Sequence, residues 1–240
     1  MALTLVIGNK NYSSWSFRPW IALRMAAIPF AEVVIPLYEP GSKERILAFS
    51  PAGKVPVLID GDVRVWESLA IMDYLAERFP QSGLWPKDPA ARAHARAIAA
   101  EMHAGFAPLR RHCPMNLWRP VKARELPPEV AADVRRIDAI FTECRERFGQ
   151  DGGQDRGQGG GQDRGQGGPF LFGTFGAADA MYAPVVSRLN TYAIAVGAVT
   201  ESYKTAMLAL PAWAEWRAAA LKEPWIMPNA EVDWPVVLRD

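Results

Sequence analysis

The stretch that decides the fold is Ser50-Pro51-Ala52-Gly53-Lys54-Val55-Pro56-Val57-Leu58, with Glu67-Ser68 following eleven residues after Pro56. Pro56 sits in an apolar run, residues 55–59, where a strand should begin. Proline is tolerated in sheets only at a first position, an edge or a bulge. A bend there, such as a cis Val55-Pro56 bond, turns the N–H and C=O of Val55 outward. Asp60-Gly61 is a two-residue hairpin signal between Val57-Leu58-Ile59 and Val63-Arg64-Val65-Trp66. Beyond the hairpin, Leu69-Ala70-Ile71-Met72-Asp73-Tyr74-Leu75 carries apolar residues at helical spacing, so Ser68 is expected as the N-cap. A helix N-terminus suits a carboxylate, and Glu67 beside it suits an ammonium. Together they fit an amino-acid head group, and the open edge at Val55 fits the backbone of a small peptide.

Working outward, residues 3–7 form an apolar strand, a helix runs through Leu23, and a second strand is expected over residues 33–37. Between the first strand and that helix lies Asn11-Tyr12-Ser13-Ser14-Trp15-Ser16-Phe17-Arg18-Pro19-Trp20. Proline lacks an N–H and clashes one turn back, which places Pro19 close to a helix start and the start itself at residues 14–16. A hydroxyl just ahead of that start, with the helix dipole behind it, can donate to a thiolate. It would thereby favour ionisation of a thiol whose free pKa is about 8.5. Taken alone, the same serines could simply cap the helix.

The combination Gly53-Lys54-Val55-Pro56, then Glu67-Ser68 at a hairpin's distance, resembles the glutathione-binding half of the cytosolic glutathione transferases. The resemblance implies an α/β thioredoxin-like domain followed by an all-α domain, and it spans about 220 of the 240 residues. The serine segment looks most like the Ser-Ser-Cys-Ser-x-Arg motif of the zeta class. That alignment puts Ser13 in the thiol-activating position, makes Ser14 a second candidate, and sets Trp15 where the motif has cysteine. The substitution argues against carrying over the zeta-class maleylacetoacetate isomerase activity, and leaves glutathione binding untouched. The resemblance implies that glutathione, as co-substrate, binds at Lys54, Val55, Pro56, Glu67 and Ser68. The electrophile pocket would be formed by Trp15, His103, Phe106 and Arg110, with Trp118 or Trp225 as further candidates. It also implies a homodimer. Conjugation to a small electrophile is the leading expectation; glutathione-dependent cis-trans isomerisation and non-catalytic carriage of hydrophobic ligands are the alternatives.

The domain reading is residues 1–80 for the glutathione-binding domain, 81–88 for a linker and 89–240 for the helical domain. In the helical part, one long helix is expected from Asp88 to about Arg111 despite Gly105 and Pro108. A second is expected over residues 128–148 and a third after Gly176-Ala177-Ala178-Asp179. The family has a Ser/Thr-x-x-Asp capping box at that third helix; here Gly176 replaces the hydroxyl residue, and Asp179 can still pair with backbone donors. Gly152-Gly153-Gln154-Asp155-Arg156-Gly157-Gln158-Gly159 recurs in tandem from Gly160 to Gly167. A glycine-rich insert at 150–168 cannot bury enough apolar surface to offset its ordering entropy, so it is expected as a flexible surface loop.

Charge and composition narrow the partners. With 27 basic and 26 acidic side chains there is no electrostatic footprint for nucleic acid. No signal peptide pattern is read at the N-terminus, and no apolar stretch approaches the roughly 20 residues of a membrane span, so a cytoplasmic protein is expected. Cys113 and Cys144 form no Cys-x-x-Cys pair, which argues against dithiol redox chemistry. The three histidines have no metal-like neighbours in sequence, and no metal site is expected.

Overall fold

The computed structural model describes residues 3–149 and 168–234. The tandem repeat, expected as a flexible loop, lies outside the described residues.

The N-terminal half runs β1 (Leu3–Ile7), α1 (Ser14–Met25), β2 (Phe30–Val34), α2 (Ser42–Leu47), β3 (Val57–Asp60), β4 (Val63–Trp66) and α3 (Ser68–Arg78). Its four strands lie in the order β2-β1-β3-β4, with β2 parallel to β1 and the others antiparallel. This is the thioredoxin-like arrangement expected. The hairpin turns at Gly61-Asp62, one residue later than expected because Asp60 already pairs with Val63, and the Val55-Pro56 bond is cis. Strand β2 lies three residues earlier than expected. Parallel pairing with β1 sets its register from Leu3↔Phe30 to Ile7↔Val34, and Pro36 has no N–H to extend the ladder. Leu37 has already turned away, its N–H donating to Asn9 Oδ1 at 2.7 Å.

The C-terminal half comprises α4 (Pro89–Ala104), α5 (Ala107–His112), α6 (Pro128–Phe148), α7 (Ala177–Thr191), α8 (Ala198–Leu208) and α9 (Pro211–Leu221). The single helix expected from Asp88 to Arg111 is two. Pro108 cannot donate to Ala104 and its ring would clash with that carbonyl. The chain therefore breaks at Gly105, in extended conformation, and at Phe106, which turns left-handed at φ 56°. The second helix, α6, occupies the expected residues. Helices α8 and α9 were not anticipated, although Gly197 ahead of one and Pro211 at the first position of the other are ordinary start signals.

One apolar core runs through both halves, from Leu5 and Trp20 to Ile98, Tyr182 and Trp216. Helix α1 is central to it: packed on α3, α7 and α9, it has Ser14 and every residue from Ser16 to Leu23 buried. The expected linker takes part, with Leu84 and Trp85 buried and the Leu84 carbonyl accepting the Ala177 N–H at 2.7 Å. That contact explains Gly176. A Cβ there would meet the Leu84 oxygen at 2.9 Å, too close for any side chain, while the carbonyl satisfies the Ala177 amide at the first helical position. Asp179 completes the cap, accepting Gly176 N–H at 2.8 Å and Leu171 N–H at 3.0 Å. Among the described residues no helix is long and apolar enough to cross a membrane.

Burial pushes the Asp179 carboxyl up to about 6 from an ordinary 3.8, against the two amide bonds that favour its ionised form. A raised folded-state pKa contributes stability that is complete below the unfolded value and is lost as pH rises through the folded one. Relative to Asp179→Asn, which does not titrate, the unmodified protein should therefore gain about 1 kcal/mol of unfolding free energy between pH 7.5 and pH 5. Paired urea melts at the two pH values check this, and a pH-independent difference would contradict it.

Candidate functional site at the domain seam

Where the hairpin meets the helical half, a cleft of about 260 Å³ is lined by Trp15, Lys54, Val55, Pro56, Trp66, Glu67, Ser68 and His103. Every residue expected to hold glutathione is there. Ser68 is a first-turn residue of α3 rather than its N-cap, a correction with a geometric cause: Glu67 takes the N-cap position at φ 69°, ψ 124°. Positive φ is uncommon for a residue with a side chain and typically costs about 1–3 kcal/mol, persisting where the surroundings hold it. The Glu67 carbonyl accepts the Ile71 N–H at 3.0 Å, while its exposed carboxylate faces the cleft. Ser68 is buried with its hydroxyl unpartnered among the described residues. An unpaired buried hydroxyl beside free first-turn amides is a ready site for a carboxylate.

Across the seam, His103 from α4 brings its Nε2 to 3.6 Å from Glu67 Oε2 and sets its ring edge-on to Trp15 at 5.2 Å. Trp15 also lies under two guanidinium groups, Arg18 at 4.0 Å and Arg110 at 5.3 Å from its ring centroid. Burial lowers the pKa of Arg110 and pushes that of fully buried Arg18 well below the ordinary range. The indole is thus held from three sides.

The other expected pocket residues are elsewhere. Phe106 is buried and faces Tyr182, and Arg110 meets the cleft lining from behind, at the Trp15 ring and at the His103 carbonyl. Trp118 is buried against Tyr12 with its indole N–H donating to the Ala220 carbonyl, and Trp225 is half-buried outside the cleft lining. The break at Gly105-Phe106 turns the chain after His103, so helical spacing no longer predicts which residues share its face.

Ser13 is the N-cap residue of α1 and Ser14 its first helical residue. Both are buried and neither lines the cleft, where Trp15 is the representative of their segment. Ser13 makes no side-chain cap bond at α1. The Ser14 carbonyl accepts Arg18 Nη1 at 3.0 Å. The Ser13 and Ser16 hydroxyl oxygens are 2.8 Å apart, and Ser16 Oγ also accepts the Gly8 N–H at 3.1 Å. Sequence reasoning missed Trp66, which lines the cleft, and the Ser16 hydroxyl beside Ser13. Trp66 ends a strand directly before Glu67, and Ser16 lies one helical turn from Ser13, so spacing could have suggested both. Among the described residues no group of three or more His, Cys, Asp or Glu side chains could hold a metal ion.

A thioredoxin-like sheet joined through one core to a helical bundle, with a cleft at the seam, defines the two-domain glutathione-transferase architecture. Residues 12–78 match the glutathione S-transferase N-terminal domain and residues 127–219 the glutathione S-transferase C-terminal domain. The chain belongs to the glutathione S-transferase family. It is 42% identical over 98 residues to a probable maleylacetoacetate isomerase of Caenorhabditis elegans, an alignment covering 40% of this chain and 45% of the relative. With the maleylacetoacetate isomerase of Pseudomonas aeruginosa it shares 35% over 111 residues, 45% of this chain and 52% of that one. The chain spans about half the length of these curated relatives. A Burkholderia glutathione transferase homologue solved with bound glutathione has the same fold, with a TM-score of 0.61, 19% identity, and coverage of 92% of this chain and 98% of that one.

The unpaired Ser68 hydroxyl generates a prediction for the ligand-free protein. Removing a buried polar group that lacks a partner relieves a desolvation cost of about 1–3 kcal/mol. Ser68→Ala should therefore leave the ligand-free melting temperature unchanged or higher, as calorimetry would show, and a clear fall would mean that the hydroxyl is already engaged.

Proposed function

We propose that this protein is a glutathione transferase, with glutathione lying along Val55, its α-carboxylate at Ser68 and the α3 amides, and its ammonium at Glu67. Lys54 would meet the second carboxylate. The observation that carries the reading is that Lys54, Val55, Pro56, Glu67 and Ser68 line a single cleft, with an unpaired buried hydroxyl at the carboxylate end.

The thiol would lie toward Ser13, at the positive end of α1. In the ligand-free protein the Ser13 hydroxyl donates to Ser16 Oγ at 2.8 Å; with a thiolate bound, the Ser13 proton would rotate to the sulfur and the Ser16 hydroxyl, still accepting the Gly8 N–H, would donate to Ser13 Oγ. Thiolate stabilisation thus draws on the Ser13 hydroxyl and the helix dipole together; the two can supply the roughly 2.7 kcal/mol of a two-unit pKa shift. Attack forms a carbon–sulfur bond on an electrophile held against Trp15 and His103, while the leaving group departs or the adduct takes a proton from solvent. The protein contributes positioning and a preformed electrostatic environment.

The names of the curated relatives favour one second reading, glutathione-dependent cis-trans isomerisation, in which the same thiolate adds and is later expelled. Conjugation consumes glutathione and isomerisation returns it, so mass balance on glutathione in a broad electrophile screen separates them. A carrier without catalysis needs no thiolate. We also read the protein as a cytoplasmic homodimer, on the family pattern.

The test of the mechanism is the thiolate ultraviolet band of the glutathione complex titrated against pH. Ser13→Ala should keep glutathione affinity, raise the bound thiol's pKa, and lower turnover about tenfold for each 1.4 kcal/mol lost. Ser14→Ala and Ser16→Ala should shift it less, and Ser68→Ala should weaken binding by about 1 kcal/mol or more. An unchanged titration in Ser13→Ala with a shifted one in Ser14→Ala would transfer the role to Ser14; no thiolate band in the unmodified protein at neutral pH would favour the carrier.

A further inference from the structure

The turn that presents Ser13 is held from the far end of the chain. Glu223, just past α9 and buried, accepts the Lys10 N–H at Oε1, 2.7 Å, and the Asn11 N–H at Oε2, 2.9 Å. Trp216 of α9 donates its indole N–H to the Lys10 carbonyl at 2.9 Å. The Lys10 ammonium pairs with Glu32 at 2.6 Å and lies over the Trp20 and Trp216 rings. Every polar atom of Lys10 is thereby engaged. The next amides fold back locally, Tyr12 and Ser13 both donating to the Asn9 carbonyl at 3.2 and 2.8 Å. One carboxylate thus clamps Lys10 and Asn11 and the following turn closes on Asn9, while Asn11 Oδ1 accepts the Leu117 and Trp118 amides and the Tyr12 hydroxyl donates to Glu231 as further anchors of the same segment.

We infer that Glu223 is a positioning residue for thiol activation: its carboxylate, bridging two successive amides, fixes the turn that carries Ser13. The inference rests on the glutathione reading above. Its physical basis is that a bidentate carboxylate on two backbone N–H groups is charge-assisted and directional, and is shielded from water by burial. Replacing one oxygen by an NH₂ group sets a donor against a donor at Lys10 or Asn11, and the turn must shift to relieve it. Catalytic hydrogen bonds tolerate little displacement. The glutathione-holding residues belong to the hairpin and α3, not to the turn whose amides Glu223 binds, so affinity and activation should separate.

The experiment compares Glu223→Gln and the charge-retaining Glu223→Asp with Asp179→Asn. Asp179 is also a buried carboxylate accepting two backbone amides, but at a helix cap away from the turn. In Glu223→Gln the bound thiol's pKa should rise by about half to one unit and kcat at neutral pH fall about three- to tenfold, with KM for glutathione changed less than about twofold. Glu223→Asp should lie between Gln and the unmodified protein. Asp179→Asn should lower the melting temperature without moving the thiol titration. If both substitutions lower the melting temperature and neither moves the thiol pKa, Glu223 is structural only and the inference is overturned; equal losses of affinity and kcat in Glu223→Gln overturn it as well. Failure of the underlying function is visible separately, as a bound thiol in the unmodified protein that titrates at its free value.

Discussion

Helix α1 lies within the core, and its burial is the constraint on which both the fold and the site depend. A helix buried on this scale has to be met by apolar partners around most of its circumference. The sheet and α3 supply part of that, and α7 and α9 of the second half supply the rest. The two sequence domains therefore share one core, and the cleft at their seam is a consequence of how the N-terminus of α1 emerges between them. Ser13, Ser14 and Trp15 occupy that point of emergence.

The same burial explains the least expected chemistry of the core. Arg18 and Arg188 are both buried, and desolvation lowers the pKa of each, to about 10 for Arg188. Their hydrogen bonds go to backbone carbonyls: Arg18 to Ser14 and Met181, Arg188 to Pro184 and Cys113. These bonds tie α1 to α7 and α7 to the segment after α5. Burying a guanidinium costs several kcal/mol unless its donors are satisfied, and Arg18 Nη2 has no partner among the described residues. Part of that cost is offset where Arg18 stacks on Trp15, a cation–π contact worth up to about 2 kcal/mol when desolvated. The stack orients the indole that forms the cleft wall, so an expensive core residue acts on the site through its neighbour.

Most readings that depended on local backbone chemistry survived into the structure, the N-cap of α3 excepted, which is Glu67 and not Ser68. Pro56, Asp60-Gly61 and the position of Asp179 are constraints set within a few residues, and they marked the strand, the hairpin and the helix cap. The start of α1 also came out where Pro19 pointed, although Pro19 itself lies in the second turn. Readings that assumed periodicity across a break did not survive. The single helix read from Asp88 through Pro108 is broken at Gly105-Phe106, and Phe106, put in the pocket by the family resemblance, faces Tyr182. Strand β2 is expected too late in the chain because its register is set by pairing with β1, about 27 residues away, and not by its own composition.

For the site, the sequence by itself determined the chemical inventory: a carboxylate and a hydroxyl at one helix start, an open edge at Val55, and serines at another helix start. Each of these follows from residue type and short spacing, which tertiary contacts do not alter. Tertiary structure alone decided which of them face one space. It brought His103 to Glu67 and Trp15, turned Phe106 and Trp118 away, and placed Glu223 on amides 213 and 212 positions away. Contacts between such distant positions carry no local sequence signal, because the loop-closure entropy they must overcome is supplied by packing of the whole core.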